Sequence, residues 1–95
     1  MRKTEVFYNQ TSVNLFTHDQ GEYISDSICR SKSFFEAGIL HLLYMNRAFL
    51  NPERSCVIDV GANIGNHSCF FEKYLKFKQV YAIEPVSINF ELLLK

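Results

Sequence analysis

The sequence predicts an α/β fold in which parallel strands alternate with helices after a short β-rich start. The chain has 95 residues, of which 47% are hydrophobic and 21% charged, a composition typical of one small globular domain. Two short runs, Cys56–Val60 and Val80–Ile83, are apolar on successive residues, as in parallel strands that are covered on both faces. A helical pattern follows each run, and residues 61–78 are long enough for a crossover helix. We therefore expect the first βαβα portion of a Rossmann-like, doubly wound sheet.

Residues 1–32 contain several short β-prone runs. Val6–Tyr8 and Val13–Thr17 are separated by Asn9–Ser12, whose polar residues favour a turn, so we expect a hairpin there. After a second turn signal at residues 18–21, we interpret Tyr23–Cys29 as a further short strand. Residues 1–32 are thus predicted to form an N-terminal β-rich segment.

One amphipathic helix is predicted to connect this segment to the first parallel strand. Ser33-x-x-Glu36 has the spacing of a capping box, and Asn51-Pro52 is a stop signal. The pattern predicts a helix over residues 33–49 that packs through apolar residues at helical spacing. These residues are Phe35, Ile39, Leu42, Leu43, Phe49 and Leu50. Further helices are predicted over residues 66–77 and 88–95.

The predicted sheet is incomplete. Residues 33–95 are expected to form the connecting helix and a domain with only two parallel strands, which make a poor sheet by themselves. The apolar side of Leu92–Leu94 has no following strand to cover. We therefore expect the chain to be truncated, as part of a larger protein.

Composition and charge exclude several classes of partner and site. Ten basic residues balance ten acidic ones, which argues against nucleic acid or an anionic membrane as the main partner. The start lacks the apolar run of a secretory signal, and no stretch reaches the ~18 apolar residues of a membrane span, so we expect a cytoplasmic protein. Three cysteines without a CxxC pair, Cys29, Cys56 and Cys69, predict free thiols. No metal site is expected, because His67-x-Cys69 supplies two ligands where zinc needs about four.

The residues that carry chemistry gather where the two predicted strands end. The first strand runs into Gly61-Ala62-Asn63-Ile64-Gly65, and glycines at a strand-to-helix turn let a ligand approach the backbone and the helix N–H groups. Glu84 ends the second strand, where a carboxylate can accept hydrogen bonds from ribose hydroxyls. The sequence therefore predicts a nucleoside-containing ligand lying across both strand ends.

The loop favours S-adenosylmethionine over other nucleoside ligands. A dinucleotide fingerprint requires Gly-x-Gly-x-x-Gly, whereas Asn63 and Asn66 replace two of its glycines. A nicotinamide-dependent oxidoreductase is therefore a less favoured alternative, and the absence of Gly-Lys-Ser/Thr excludes a P-loop. S-adenosylmethionine has a ribose without a phosphate. Asp59 suits its ammonium group, and the loop N–H groups suit its carboxylate.

These residues resemble a known family. Val57–Ser68 and Val80–Pro85 look like the first and second motifs of class I S-adenosylmethionine-dependent methyltransferases. The resemblance is closest to the FkbM-type group, in which an Asp-Val-Gly-Ala-Asn-x-Gly loop and a Glu-Pro pair recur. Asn89–Leu93 and Phe35-Glu36 are also similar to segments of that group, so the match spans residues 33–95.

The resemblance implies a cofactor, a reaction and a set of binding residues. The cofactor is S-adenosylmethionine, and the reaction is methylation of a hydroxyl oxygen on a sugar or another small molecule. In this arrangement Asp59 supports the amino group of the cofactor, Glu84 holds its ribose and Pro85 borders its adenine. The residues expected to line the methionine end are Gly61, Ala62, Asn63 and Gly65.

Several questions stay open at this stage. The sequence assigns no catalytic base, no acceptor pocket and no oligomeric state. The alternative to an enzyme segment is a non-catalytic truncated remnant, or an interaction module whose open sheet edge pairs with another chain.

Overall fold

The computed structural model describes all 95 residues as an α/β arrangement of two small sheets and five helices. A 3-10 turn at Pro52–Arg54 precedes the second sheet, and a π-helical turn at Phe71–Leu75 continues the fourth helix. None of the helices is both long enough and apolar enough to cross a membrane. In chain order, the elements are β1 Arg2–Tyr8, β2 Thr11–Thr17, α1 Tyr23–Ser31, α2 Ala37–Met45, α3 Arg47–Leu50, β3 Cys56–Val60, α4 Asn66–Phe70, β4 Gln79–Ile83 and α5 Ser87–Leu93.

The N-terminal hairpin is present, with a tighter turn than the sequence predicts. β1 and β2 pair antiparallel, from Arg2 opposite Thr17 to Tyr8 opposite Thr11. The connection is the two residues Asn9 and Gln10, both with positive φ (51° and 66°). Two-residue turns of this conformation match the twist of the strands they join, so the strands extend closer to the turn than expected.

The prediction of a strand over Tyr23–Cys29 is wrong, because these residues lie in α1. The Glu22 carboxylate caps this helix by accepting hydrogen bonds from the N–H groups of Ile24 (3.2 Å) and Ser25 (2.6 Å). The helix ends at Lys32, whose φ of 58° is left-handed. Both ends are therefore set by side-chain and backbone caps.

The single helix predicted over residues 33–49 is wrong in its bounds, and its packed face is confirmed only in part. Glu36 has a left-handed φ of 58° and forms no side-chain cap, so the expected capping box is absent and α2 begins at Ala37. Asn46 separates α2 from α3. Of the residues expected to pack, three contact the core, namely Phe35, Leu43 and Leu50, and three are exposed, namely Ile39, Leu42 and Phe49.

The parallel pairing of β3 and β4 is confirmed. Cys56 lies opposite Gln79 and Val60 opposite Ile83, so the carboxyl ends of both strands lie at the same edge. α4 and its π-helical continuation connect the two strands and end at Lys76, with a left-handed φ of 59°. This crossover is shorter at its C-terminal end than the predicted helix over residues 66–77, and α5 likewise ends at Leu93 rather than Lys95.

The expectation that both faces of the parallel strands are covered is wrong. The residues Val57, Asp59, Val80 and Ala82 alternate with exposed neighbours along β3 and β4. The exposed neighbours form what we call the open sheet face, which consists of Ile58, Val60, Tyr81 and Ile83, each between 52% and 77% exposed. The sheet is therefore covered on one face only.

The hydrophobic core lies between the hairpin, the first two helices, the crossover and α5, rather than on both faces of the parallel sheet. Its nine buried residues are Val6, Leu15, Ile28, Phe34, Leu40, Ile64, Phe70, Leu75 and Leu92. Tyr8 joins the hairpin to this core through edge-to-face contacts with Tyr44, Phe70 and Tyr74. The core holds the crossover, and with it the loop after β3, against the hairpin.

Candidate functional site

The loop after β3 is fixed to the end of β4 by backbone hydrogen bonds. The carbonyl of Ile83 accepts from the N–H groups of both Gly61 (2.8 Å) and Ala62 (2.9 Å). Gly61 and Asn63 have positive φ values of 75° and 56°, which turn the chain sharply before α4. The loop therefore folds across the carboxyl ends of both strands.

Glu84 lies directly against this loop. Its Oε1 accepts a 2.7 Å hydrogen bond from the Asn63 N–H, which spans the two strands. Its Oε2 accepts from the Val86 N–H at 3.0 Å and from Asn89 Nδ2 at 3.4 Å. The backbone N–H groups of Asn63 and then Val86 hold the pKa of this carboxyl below its usual range, because hydrogen bonds to a carboxylate favour its charged form. Glu84 is thus an ionised acceptor at neutral pH.

The Glu84 carboxylate is also linked to the N-terminal hairpin. Asn89, in the first turn of α5, donates to Glu84 and accepts at its Oδ1 from His18 Nε2 at 2.6 Å. An amide oxygen only accepts, so His18 carries its proton on Nε2. This chain of side chains runs from the end of β2 to the end of β4.

Asp59 lies on the covered face of the sheet, toward α4. Its Oδ2 accepts a short 2.6 Å hydrogen bond from the hydroxyl of Ser68, and Ser68 is buried. Its other oxygen, Oδ1, accepts no hydrogen bond from the chain. Asp59 therefore joins β3 to α4 through Ser68, and its Oδ1 has no hydrogen-bond partner.

Asn66 holds the segment before α2 against the start of α4. Its side chain is only 5% exposed, and it pairs with both main-chain polar groups of Phe35, at 2.9 Å each. The neighbouring Glu36 carboxylate comes within 3.2 Å of His67 Nε2, although that nitrogen is buried and makes no hydrogen bond. Glu36 thus does not cap α2 and lies beside His67 at the start of α4.

The structure brings four of the predicted binding residues to one edge and separates two from them. Gly61, Ala62 and Asn63 meet Glu84 at the strand ends. Asp59 points to the covered face, and Gly65 packs against Leu93 of α5. Pro85 is exposed directly after Glu84.

We expected the N–H groups of the loop to be free to bind the carboxylate of the cofactor. For the first three residues of the loop this expectation is wrong. The N–H groups of Gly61, Ala62 and Asn63 already donate to Ile83 and Glu84. These hydrogen bonds hold the loop against the end of β4. The three N–H groups that form them are therefore not available to a ligand.

One buried polar atom of the loop has no partner. Asn63 Oδ1 is shielded from solvent and accepts no hydrogen bond. Buried acceptors without a partner are rare, because each one costs free energy. This atom therefore marks a position where a donor group of a ligand would be stabilised.

Three residues of the site region were not singled out for these roles from the sequence. Asn66 and Asn89 make their contacts through side chains that no local pattern distinguishes from solvated polar residues. Ser68 is a helix residue whose partner, Asp59, lies nine positions earlier. The only indication in the sequence was the number of asparagine and serine residues around the glycine loop. Such side chains often bind backbone groups, but the sequence does not show which groups they bind.

No protein-family model, no curated protein and no solved structure matches this chain.

Proposed function

We propose that this chain binds S-adenosylmethionine across the carboxyl ends of β3 and β4, as the cofactor-binding part of a class I, Rossmann-like methyltransferase. The observation that carries the proposal is the 2.7 Å hydrogen bond between the Asn63 N–H and Glu84 Oε1. It joins a glycine-containing loop to an acidic strand end, the pairing that nucleoside-binding βαβ units use.

The space above Gly61 supports close approach of a ligand. A side chain built on this residue would meet no atom within 4 Å, and its φ of 75° disfavours any residue with a side chain. The backbone is therefore both accessible and conformationally dependent on glycine at this point.

The hydrogen-bonding capacity of Glu84 supports a ribose partner. A carboxylate has about four acceptor sites, and the chain fills two well, at 2.7 Å and 3.0 Å, with the 3.4 Å bond from Asn89 a weak third. Oε1 accepts only one of these bonds, so it can accept a second one from a ribose hydroxyl. Because the carboxylate is already fixed by the loop and α5, it loses little freedom when such a hydroxyl binds.

The unpaired oxygen of the loop fits the ammonium group of the cofactor. Asn63 Oδ1 is buried and accepts no hydrogen bond. It is an acceptor, and an ammonium is purely a donor. The residues that would hold the cofactor are therefore Asn63 at its amino end and Glu84 at its ribose, while Asp59 binds Ser68 on the covered face.

In the proposed reaction, the cofactor and the protein have separate roles. S-adenosylmethionine supplies an electrophilic methyl group. The residues at the strand ends bind and orient the cofactor, and we assign no catalytic base among them. The proposed acceptor is a hydroxyl of a small molecule such as a sugar, which must be held in line with the methyl group at about 3 Å.

Isothermal titration of the full chain with S-adenosylhomocysteine tests this proposal. We expect saturable binding that weakens about tenfold or more in Glu84→Gln, since a charge-assisted hydrogen bond to a ligand contributes at least this much. Glu91→Gln is the matched control, because Glu91 is an exposed carboxylate of α5 that accepts no side-chain hydrogen bond.

Two outcomes would overturn the proposal. One is absence of binding by wild-type chain that circular dichroism shows to be folded. The other is equal affinity of wild type and Glu84→Gln. Titration with NADH under the same conditions decides between this cofactor and the nicotinamide alternative.

A further inference from the structure

A cavity lies behind the glycine loop, on the covered side of the sheet. Its volume is about 470 Å³, and β2, α4, β4 and α5 enclose it. Leu15 and Phe16 form one wall, and Val80 and Ala82 form the floor. This volume lies within the range of about 300–1,000 Å³ that small-molecule pockets have.

The inner end of the cavity is closed where α5 meets the loop. A Cβ atom on Gly65 would lie 2.6 Å from Leu93 Cδ1, so the helix and the loop are in direct contact there. The polar side chains of the lining that are exposed to solvent belong to Asn14, Glu72, Lys73 and Lys95. The cavity is therefore a pocket with a charged rim and an apolar interior.

The buried part of the lining holds no unpaired side-chain nitrogen or oxygen atom. The Ser68 hydroxyl, which lines it, already donates to Asp59 at 2.6 Å. The unpartnered buried side-chain atoms of the chain belong to Asn63 and His67, and neither residue lines this cavity. Burial raises the pKa of the Cys69 thiol to about 11, so this group is neutral at physiological pH. Water gains few hydrogen bonds in such a space, and apolar molecules are favoured there.

We propose that this cavity is a binding site for a small uncharged apolar molecule, separate from the strand-end site and beyond the function proposed above. An apolar ligand would leave no polar group unpaired on either side and would bury the hydrophobic walls contributed by the hairpin and α5. A ligand with several polar groups would lose their hydration without replacement.

Fluorescence titration with N-phenyl-1-naphthylamine, an uncharged probe that brightens in apolar surroundings, tests the site. Cys69→Phe fills the cavity and is expected to weaken saturable probe binding at least about tenfold, whereas Cys69→Ala keeps it. Ala82→Leu fills the same space from β4 and is the second filling variant if Cys69→Phe does not fold. Val60→Lys alters the open sheet face, where an apolar probe could bind non-specifically, and is expected to leave the affinity unchanged.

Thiol alkylation gives a measurement that needs no variant. Cys69 lines the cavity, whereas Cys56 is exposed at the start of β3. Probe at ten times its Kd is expected to slow N-ethylmaleimide modification of Cys69 about tenfold, by mass action, and to leave Cys56 unchanged.

The proposal is overturned by any of three results. They are absence of saturable probe binding, loss of binding in Val60→Lys rather than in the filling variants, and equal modification rates of Cys69 with and without probe. None of these measurements uses S-adenosylhomocysteine, so failure here is distinct from failure of the cofactor proposal.

Discussion

At the scale of single residues, Glu84 and Asn66 are the side chains on which the candidate site depends most. Each one binds main-chain groups of a different element: Glu84 binds the loop after β3 from the end of β4, and Asn66 binds Phe35 from α4. Side chains that pair with backbone fix the relative position of two chain segments more strictly than apolar contacts do. Both residues therefore have measurable effects on stability as well as on binding.

The stability that Glu84 contributes is expected to depend on pH. Its pKa is lowered in the folded chain by the N–H groups of Asn63 and Val86, so its contribution is complete above the carboxyl pKa of the unfolded chain. The contribution is lost as the pH falls through the lower, folded pKa. We expect Glu84→Gln to be less stable than wild type at pH 7 and nearly equal to it once the pH is below the folded pKa of Glu84, as measured by urea unfolding in a series of buffers from pH 7 into acid.

The matched substitution for this experiment is Glu91→Gln, which removes an exposed carboxylate of α5 that accepts no side-chain hydrogen bond. If Glu91→Gln lost as much stability at pH 7 as Glu84→Gln, and this loss also disappeared in acid, the role given to Glu84 would be contradicted. So would a stability difference between wild type and Glu84→Gln that stays constant with pH.

Asn66→Ala is expected to destabilise the chain by about 2 kcal/mol or more, because it leaves the N–H and C=O groups of Phe35 without partners in a mostly buried region. The measurement is the free energy of unfolding in urea. Asn14→Ala is the control, since Asn14 is exposed and makes no side-chain hydrogen bond. Equal stability of the two variants would show that Asn66 does not hold this segment.

At the scale of elements, the position of the loop depends on α5 as much as on the two strands. A Cβ atom on Gly65 would lie 2.6 Å from Leu93 Cδ1, so the Leu93 side chain would have to move to accept it, whereas the space above Gly61 is open. Both glycines have left-handed φ values, 94° and 75°. Gly65 is therefore needed for conformation and for packing, and Gly61 for conformation alone.

Alanine substitution of the two glycines is expected to separate these effects. Both variants bear a conformational cost of about 1–2 kcal/mol, and Gly65→Ala bears a further 1–3 kcal/mol, on the order of an overpacked contact. Urea unfolding of both variants measures the difference. Adding Leu93→Ala to Gly65→Ala is expected to recover part of the packing cost, and no recovery would show that α5 does not press on this loop.

At the scale of the whole molecule, burial is distributed unevenly. The hairpin residue Val6 is fully buried, and Val60 on the open sheet face is 77% exposed. The core is thus formed mainly by the hairpin, the helices and the crossover packing together. One face of the parallel sheet contributes little to it.

This distribution predicts different costs for the same substitution in two strands. Val6→Ala is expected to cost at least about 1.5 kcal/mol more than Val60→Ala, since it removes two buried methyl groups while the loss of strand propensity is common to both. Thermal or urea unfolding of the two variants provides the test. Similar costs at both positions would show that the open sheet face is covered in solution.

Local patterns were sufficient for several elements. The alternation of turn residues and β-prone residues predicted the hairpin, and two short apolar runs predicted the parallel pair β3 and β4. The glycine loop and Glu84 were expected to meet at the strand ends, and Asn63 contacts Glu84 at 2.7 Å. These features follow from backbone preferences and from the fact that parallel strands end at the same edge.

Other features had no reliable local signal. Tyr23–Cys29 was predicted as a strand from its residue types, whereas capping by Glu22 and burial of Ile28 make it a helix. The apolar spacing around α2 indicated a packed face that included Ile39 and Leu42, but both are exposed, and Phe34 and Leu40 are the fully buried residues. Leu43, from the same predicted face, does pack against the core. Amphipathic spacing shows that a face is apolar, not that another element covers it.

The sequence by itself determined the α/β class, the two parallel strands and the loop whose glycines and acidic partner define the candidate site. Tertiary structure decided which apolar faces are buried, which asparagines bind the backbone, and how the loop N–H groups are used. The physical reason is the range of the interactions involved. Backbone conformation and strand-end chemistry depend on neighbouring residues, whereas burial and side-chain pairing depend on elements that are distant in the chain and meet only when it folds.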